Sequence, residues 1–202
     1  MKSKINTIYE YHDRSRICQG DLFRDLEYPE KYLPKEHELD VEALKIPYLF
    51  VLTQDCDLLS DCRNRENISV ADCDTGETES NNNHDKYLQS ILICPAYPAK
   101  LLKKGDHLKR LKLKMFNFNK TSSTVWNFVT NNQNPRYHFL EKKMEFQIPE
   151  LVIDFKHYYT IPRDILYTKV EEHYLGTLNE LFRELLSQRF SFYLSRIGLP
   201  LI

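Results

Sequence analysis

Apolar residues in this chain come in short runs that end at abrupt polar breaks, and the sharpest break lies within residues 46–57, IPYLFVLTQDCD. Residues 48–52 are consecutive β-formers without polar alternation, which predicts a strand buried on both faces. Upstream, 17–23 (ICQGDLF) reads as a turn at Gln19-Gly20 that feeds a short strand. The polar, proline-bearing stretch 28–45 reads as a long connection with a helical turn at 41–44. Residues 60–85, rich in Asp, Asn, Glu and Ser, predict an exposed and partly mobile loop. SILICP at 90–95 predicts a strand, and 137–140, 151–155 and 158–161 predict three more. Between them, 100–120 sets Leu101, Leu102, Leu108, Leu111 and Leu113 among seven lysines and one arginine, with Gly105-Asp106 as a break. That pattern fits a helix or a hairpin. From 177 onward the period becomes helical: Thr177 and Glu180 match a capping box, and Leu178, Leu181, Phe182, Leu185, Leu186, Phe190, Tyr193, Leu194 and Ile197 recur at three- and four-residue steps. Gly198 and Pro200 supply the stop. The helix, 177–197, either covers the sheet, with Leu181, Phe182 and Leu185 in the core, or serves oligomerisation.

With 202 residues, 42% of them hydrophobic, the chain can build one well-packed domain over 1–202. It would carry a polar loop insertion at 60–85 and a basic insertion at 100–136. The expected fold class is α+β, mainly β: a small antiparallel barrel or strongly bent sheet with long insertions and a C-terminal amphipathic helix. Lys plus Arg (28) nearly balances Asp plus Glu (29), so attraction of a polyanion must come from local clustering rather than a global field. No apolar run approaches membrane-spanning length and the first residues lack a signal-peptide core, so a cytoplasmic protein with no membrane partner is expected. Five cysteines in such a chain suggest reduced thiols.

Four constellations carry candidate chemistry. In Asp55-Cys56-Asp57, extended alternation would set both carboxylates on one side, where they could hold a divalent cation, with Asp21 as a third metal ligand, or share a proton. Asp25 stands near the same strand. Alternatively, Asp55 and Asp57 cap backbone amides while Cys56 fills the core. Cys56, Cys62, Cys73 and His84 offer zinc donors but no close pair. The neighbouring carboxylates disfavour Cys56 as a nucleophile, and Cys18 would equally need an electropositive setting. Lys103, Lys104, Lys109, Arg110, Lys112 and Lys114, flanked by Lys100, His107 and Lys120 and followed by Phe116, Phe118 and Trp126, combine cations with stacking surfaces, as single-stranded nucleic acid requires. The alternative is an amphipathic element with solvated lysines. Arg136 and His138, two residues apart, pair a phosphate clamp with a general acid or base.

Gly20-Asp21-Leu22, then Pro47 to Thr53, then Ile91 to Pro95, then the C-terminal helix follow an order that resembles the PemK/MazF family of bacterial toxin–antitoxin ribonucleases. The resemblance implies a Src-homology-3-like, PemK-like barrel and a toxin-like or defence-associated protein that acts on RNA as an endoribonuclease. The constellations above supply its candidate catalytic residues, with Arg136 and the basic-stretch lysines on phosphate and Asp55, Asp57 and His138 in acid–base or metal-assisted work. The family's catalytic arginine precedes the strand-opening proline, where this chain has Ile46. The family's threonine follows the later proline, where this chain has Ala96 and Tyr97. Arg136 or Lys45 would have to replace the arginine. These departures favour the alternative, a non-catalytic accessory module with a protein or nucleic-acid partner, whereas the concentrated acidic and thiol motif Asp55-Cys56-Asp57 favours the RNA-acting reading.

Overall fold

Each apolar run becomes one strand of an eight-stranded antiparallel sheet, described by a computed structural model over residues 7–34, 39–71 and 84–196. In chain order the elements are β1 (Tyr9–Glu10), β2 (Asp21–Pro34), β3 (Leu39–Val51), α1 (Asp55–Ala71), β4 (Ser90–Pro98), α2 (Ala99–Lys104), α3 (Ser123–Thr130), β5 (Tyr137–Leu140), β6 (Leu151–Asp154), β7 (Tyr159–Pro162), α4 (Arg163–Tyr167), α5 (Val170–His173), β8 (Tyr174–Leu178) and α6 (Glu180–Leu194). The strand order is β1-β8-β2-β3-β4-β6-β5. On its far side β4 pairs β7 with its first half and β6 with its second. The sheet is open, with β1 and β5 at its two ends, so the class is α+β with helices contributing as much as strands.

The period-2 geometry of a strand explains why these runs are apolar throughout. Leu22, Phe50, Cys94, Ala96 and Ile153 enter one core, which α6 covers with Leu186 and Phe190. Their neighbours Phe23, Leu49, Val51, Ile91 and Ile93 enter a second core on the other face, beneath Leu58 of α1, Leu166 of α4 and Val170 of α5. Tyr97 and Val152 continue that second face under residues 99–129, where Leu102, Leu108, Phe118 and Val129 close a third cluster.

Several expectations change. Residues 28–34 and 39–45 are strand rather than loop: β2 and β3 pair from Leu22↔Phe50 to Pro34↔Leu39, with a register shift between Pro29 and Lys31. The alternation Leu39-Asp40-Val41-Glu42-Ala43 was the strand signal that its prolines masked. Residues 60–71 continue α1 rather than looping, and Asp55-Cys56-Asp57 form its first turn rather than an extended segment. Residues 72–83, including Cys73 and the Asn81-Asn82-Asn83 run, lie outside the described residues, as do Gly198 and Pro200. In 100–120, α2 ends at Gly105 (φ 76°), where the chain folds back so closely that a Cβ would meet the Met115 carbonyl oxygen at 2.7 Å. Short 3₁₀ turns follow at Lys109–Leu111 and Phe118–Lys120, then α3; there is no hairpin. Thr177 belongs to β8, and Asn179 caps α6 by accepting the Leu181 amide (3.3 Å).

Candidate functional site

Gln19-Gly20 forms a tight turn between β1 and β2 because two carboxylates hold successive amides of the loop. Asp21 Oδ2 accepts the Cys18 N–H (2.8 Å) and Asp55 Oδ1 accepts the Gln19 N–H (3.1 Å). Gly20 takes φ 88°, donates to the Val51 carbonyl (2.9 Å) and accepts from the Leu178 amide (3.0 Å), locking the turn onto β3 and β8. Arg16 clamps Asp55 in bidentate fashion (3.0 and 2.9 Å). Burial alone would raise the Asp55 pKa, but Arg16 and the Gln19 amide lower it. Asp55 is thus a brace between the 16–20 loop and α1. Asp57, one residue past Cys56, is exposed, and Asp55 and Asp57 do not converge.

Asp21 belongs to a different group. It is buried, with 1% exposure, and its Oδ1 meets His12 Nε2 at 2.9 Å. One donor atom each from His12, Cys18 and Asp21 lies within 4.8 Å of the others. Hydrogen bonds to Asp21, and then to Cys18, raise the His12 pKa to about 10. The expected metal set Asp21, Asp55 and Asp57 is therefore split three ways. Asp25, at the exposed edge of β2, pairs with Lys45 (3.2 Å), which occupies the lysine considered as a replacement for the family's arginine. Cys56 is exposed and Cys62 buried, while His84 packs on Tyr87, so these three do not form a zinc site.

Arg136 and His138 lie in a second network at the β5–β6 edge. Arg136 donates twice to Asp154 (2.7 and 2.6 Å), which is fully buried and also meets His157 Nδ1 at 2.9 Å. Burial would raise the Asp154 pKa, yet Arg136 and His157 hold it down to about 2. Arg136 is thus committed to a carboxylate inside the protein. His138 has 1% exposure; burial, helped by Arg189, pushes its pKa down to about 3, and Nδ1 has no hydrogen-bond partner. It borders a cavity of about 310 Å³ with Asn132, Lys143 and Phe182. Burial thus favours the neutral form of the ring. Asp55 and Arg136 share no partner, so the four residues expected to be catalytic form no common centre.

The basic insertion is the remaining candidate surface. Lys100, Lys104, Lys109, Arg110, Lys112, Lys114 and Lys120 are exposed, and among the described residues none pairs with a carboxylate. Lys103 Nζ lies 5.3 Å from the centre of the Trp126 ring. Phe116 and Phe128 are about half exposed while Phe118 anchors the segment beneath them, 5.3 Å from Trp126 and 6.0 Å from Tyr137. Sequence reasoning gathered these cations in one segment but missed α3, which carries Trp126 and Phe128 and sets Trp126 against Lys103. An adjoining cleft of about 630 Å³ is lined by Tyr48, Lys100, Lys142 and Met144 among others. No helix among the described residues is long and apolar enough to cross a membrane. No protein-family model, no curated protein and no solved structure matches the chain.

Proposed function

We propose that this protein is a non-catalytic module that binds single-stranded RNA through the 100–128 surface, acting as an accessory component of a toxin-type or defence-associated system. The observation that carries this reading is the set of unpaired cations beside exposed rings: phosphates need the first and unstacked bases the second. The cleft running from Lys100 to Tyr48 and Lys142 offers a continuation of the same chemistry. The resemblance to the PemK/MazF toxins favours RNA over DNA, and its segments fall on the three adjacent strands β2, β3 and β4. Where the resemblance would place that family's catalytic arginine and threonine, this chain has Ile46, and Ala96 with Tyr97, all buried, which favours the accessory reading. An endoribonuclease with a rearranged site is the second reading, supported by the His12–Asp21 pair at a partly exposed turn.

Binding of a fluorescent single-stranded oligoribonucleotide to the full chain tests the proposal. Affinity should fall steeply and linearly in log–log form as salt rises, and Lys109→Ala, Arg110→Ala and Lys112→Ala together should weaken binding and flatten the slope by about 3. Phe116→Ala should cost about 1–3 kcal/mol if a base stacks there. The RNA should remain intact. Absence of binding at low salt, or binding indifferent to the triple substitution, rejects the reading. Cleavage that survives rigorous purification replaces it with the ribonuclease.

A further inference from the structure

We propose that His12, Cys18 and Asp21 form a binding site for a zinc-class divalent cation, held through imidazole Nε2, thiolate Sγ and carboxylate Oδ1, with a coordination position left to water. The three donors lie within 4.8 Å of one another, and the His12–Asp21 pair is at 2.9 Å. Tetrahedral zinc, with bonds of about 2.0–2.3 Å, sets its donors about 3.4–3.6 Å apart. The ion therefore fits after small side-chain adjustments. Thiolate with imidazole and carboxylate selects zinc or a similar transition metal over magnesium and calcium, which require oxygen.

The backbone is arranged for this before any ion arrives. The second Asp21 oxygen is held by the Cys18 amide, the next amide is held by Asp55, and Gly20 is tied to β3 and β8. Such outer contacts orient metal ligands. Tyr174 walls the site, edge-on to His12 at a centroid distance of 5.0 Å, and its buried hydroxyl has no side-chain partner. His12 is 21% exposed and Cys18 half-buried, so water reaches the open position.

Proton positions decide between this reading and a Cys–His–Asp nucleophile. In a nucleophilic triad the histidine divides its two nitrogens between thiol and carboxylate. Here the Arg14 amide lies 3.1 Å from Nδ1 while Asp21 meets Nε2 at 2.9 Å, so thiol and carboxylate do not divide the two nitrogens, and the Nε2 proton faces the carboxylate. A cation takes that place. The Nε2 proton and the Cys18 thiol proton go to solvent as the ion binds.

The test titrates the full chain, stripped with a chelator, with Co²⁺. The expected result is one ion per chain, a thiolate-to-cobalt charge-transfer band and the intense visible bands of four-coordinate cobalt, all erased by Zn²⁺. Cys18→Ser should remove the charge-transfer band, and His12→Gln should weaken binding by more than the roughly 10–100-fold typical of an outer-shell change. Cys56→Ser and Cys62→Ser should leave the spectrum unchanged. Metal-free denaturation midpoints verify that each variant folds, and zinc should raise the wild-type midpoint but not that of Cys18→Ser. A folded wild-type chain without the band, or a band that persists in Cys18→Ser, overturns the proposal and leaves a hydrogen-bonded cluster only.

Discussion

Asp154 illustrates how one residue type changes meaning with its surroundings. Its folded pKa of about 2 lies below the ordinary aspartate value of about 3.9, so the ionised form is favoured by folding. The stability this contributes, about 2 kcal/mol, is fully present above about pH 4 and is lost as pH falls towards 2. Denaturation midpoints measured from pH 6 to 2 should show that acid limb, and Asp154→Asn should flatten it; an identical limb in the variant would show that the carboxylate is not held this way. Arg136→Met should cost more than Asp154→Asn, about 3–5 kcal/mol at pH 7, because it leaves a buried carboxylate with only His157 and the Lys156 amide to hold it. In the sequence Arg136 reads as a phosphate clamp, whereas the structure gives it a carboxylate. Its partner, eighteen positions later, is decided by the β5–β6 pairing.

At the scale of the element, α6 shows that an apolar stripe can be wider than the face it buries. Phe182, Leu186, Phe190 and Tyr193 lie over the sheet, whereas Leu181 and Leu185, expected in the core, are 60% and 43% exposed. Arg189 fixes this rotation by donating to the carbonyls of Asn132, Asn134 and Tyr137 at the start of β5. Leu186→Ala should therefore cost about 2–5 kcal/mol through lost burial and a cavity, against about 0.5 kcal/mol or less for Leu181→Ala. Chemical denaturation decides the order, and equal losses would place the helix in the other rotation. Helix α1 makes the complementary point. Its sequence is too polar to announce a helix, yet buried Asp61 accepts from Arg65, Arg163 and the Leu88 amide, tying α1 to α4.

For the whole molecule, the two faces of the sheet set its response to pH. His138 and His107 are held neutral by burial, with pKa values lowered to about 3 and about 4. Both lie below the unfolded value of about 6.5, so their contribution is present above pH 6.5 and lost as pH falls through that value towards 4 and 3. His12 has the opposite sign. Its folded pKa of about 10 adds stability that is complete below 6.5 and lost as pH rises to about 10. Stability should therefore peak near neutrality and decline on both sides. His138→Phe should weaken the decline below pH 6, and His12→Gln the decline above pH 7. A midpoint flat from pH 5 to 9 would contradict both assignments.

Local pattern sufficed wherever one element's own residues carried the signal: the runs at 48–52, 90–95, 137–140 and 151–154, the turn at Gln19-Gly20, the helix near the C-terminus and the cations of 100–120 were all legible. Each depends on side-chain periodicity, backbone freedom or charge over a few neighbours. Pairing between distant segments decided the rest. It turned 28–34 and 39–45 into paired strands, set the rotation of α6, and committed Arg136 to Asp154 and Arg16 to Asp55. It also separated Asp21 from Asp55 and Asp57 and joined it to His12 and Cys18. The conspicuous Asp55-Cys56-Asp57 announced a site by its chemistry, but a helix turn spreads those residues around its axis, whereas the tight turn before β2 gathers donors that look unremarkable in line.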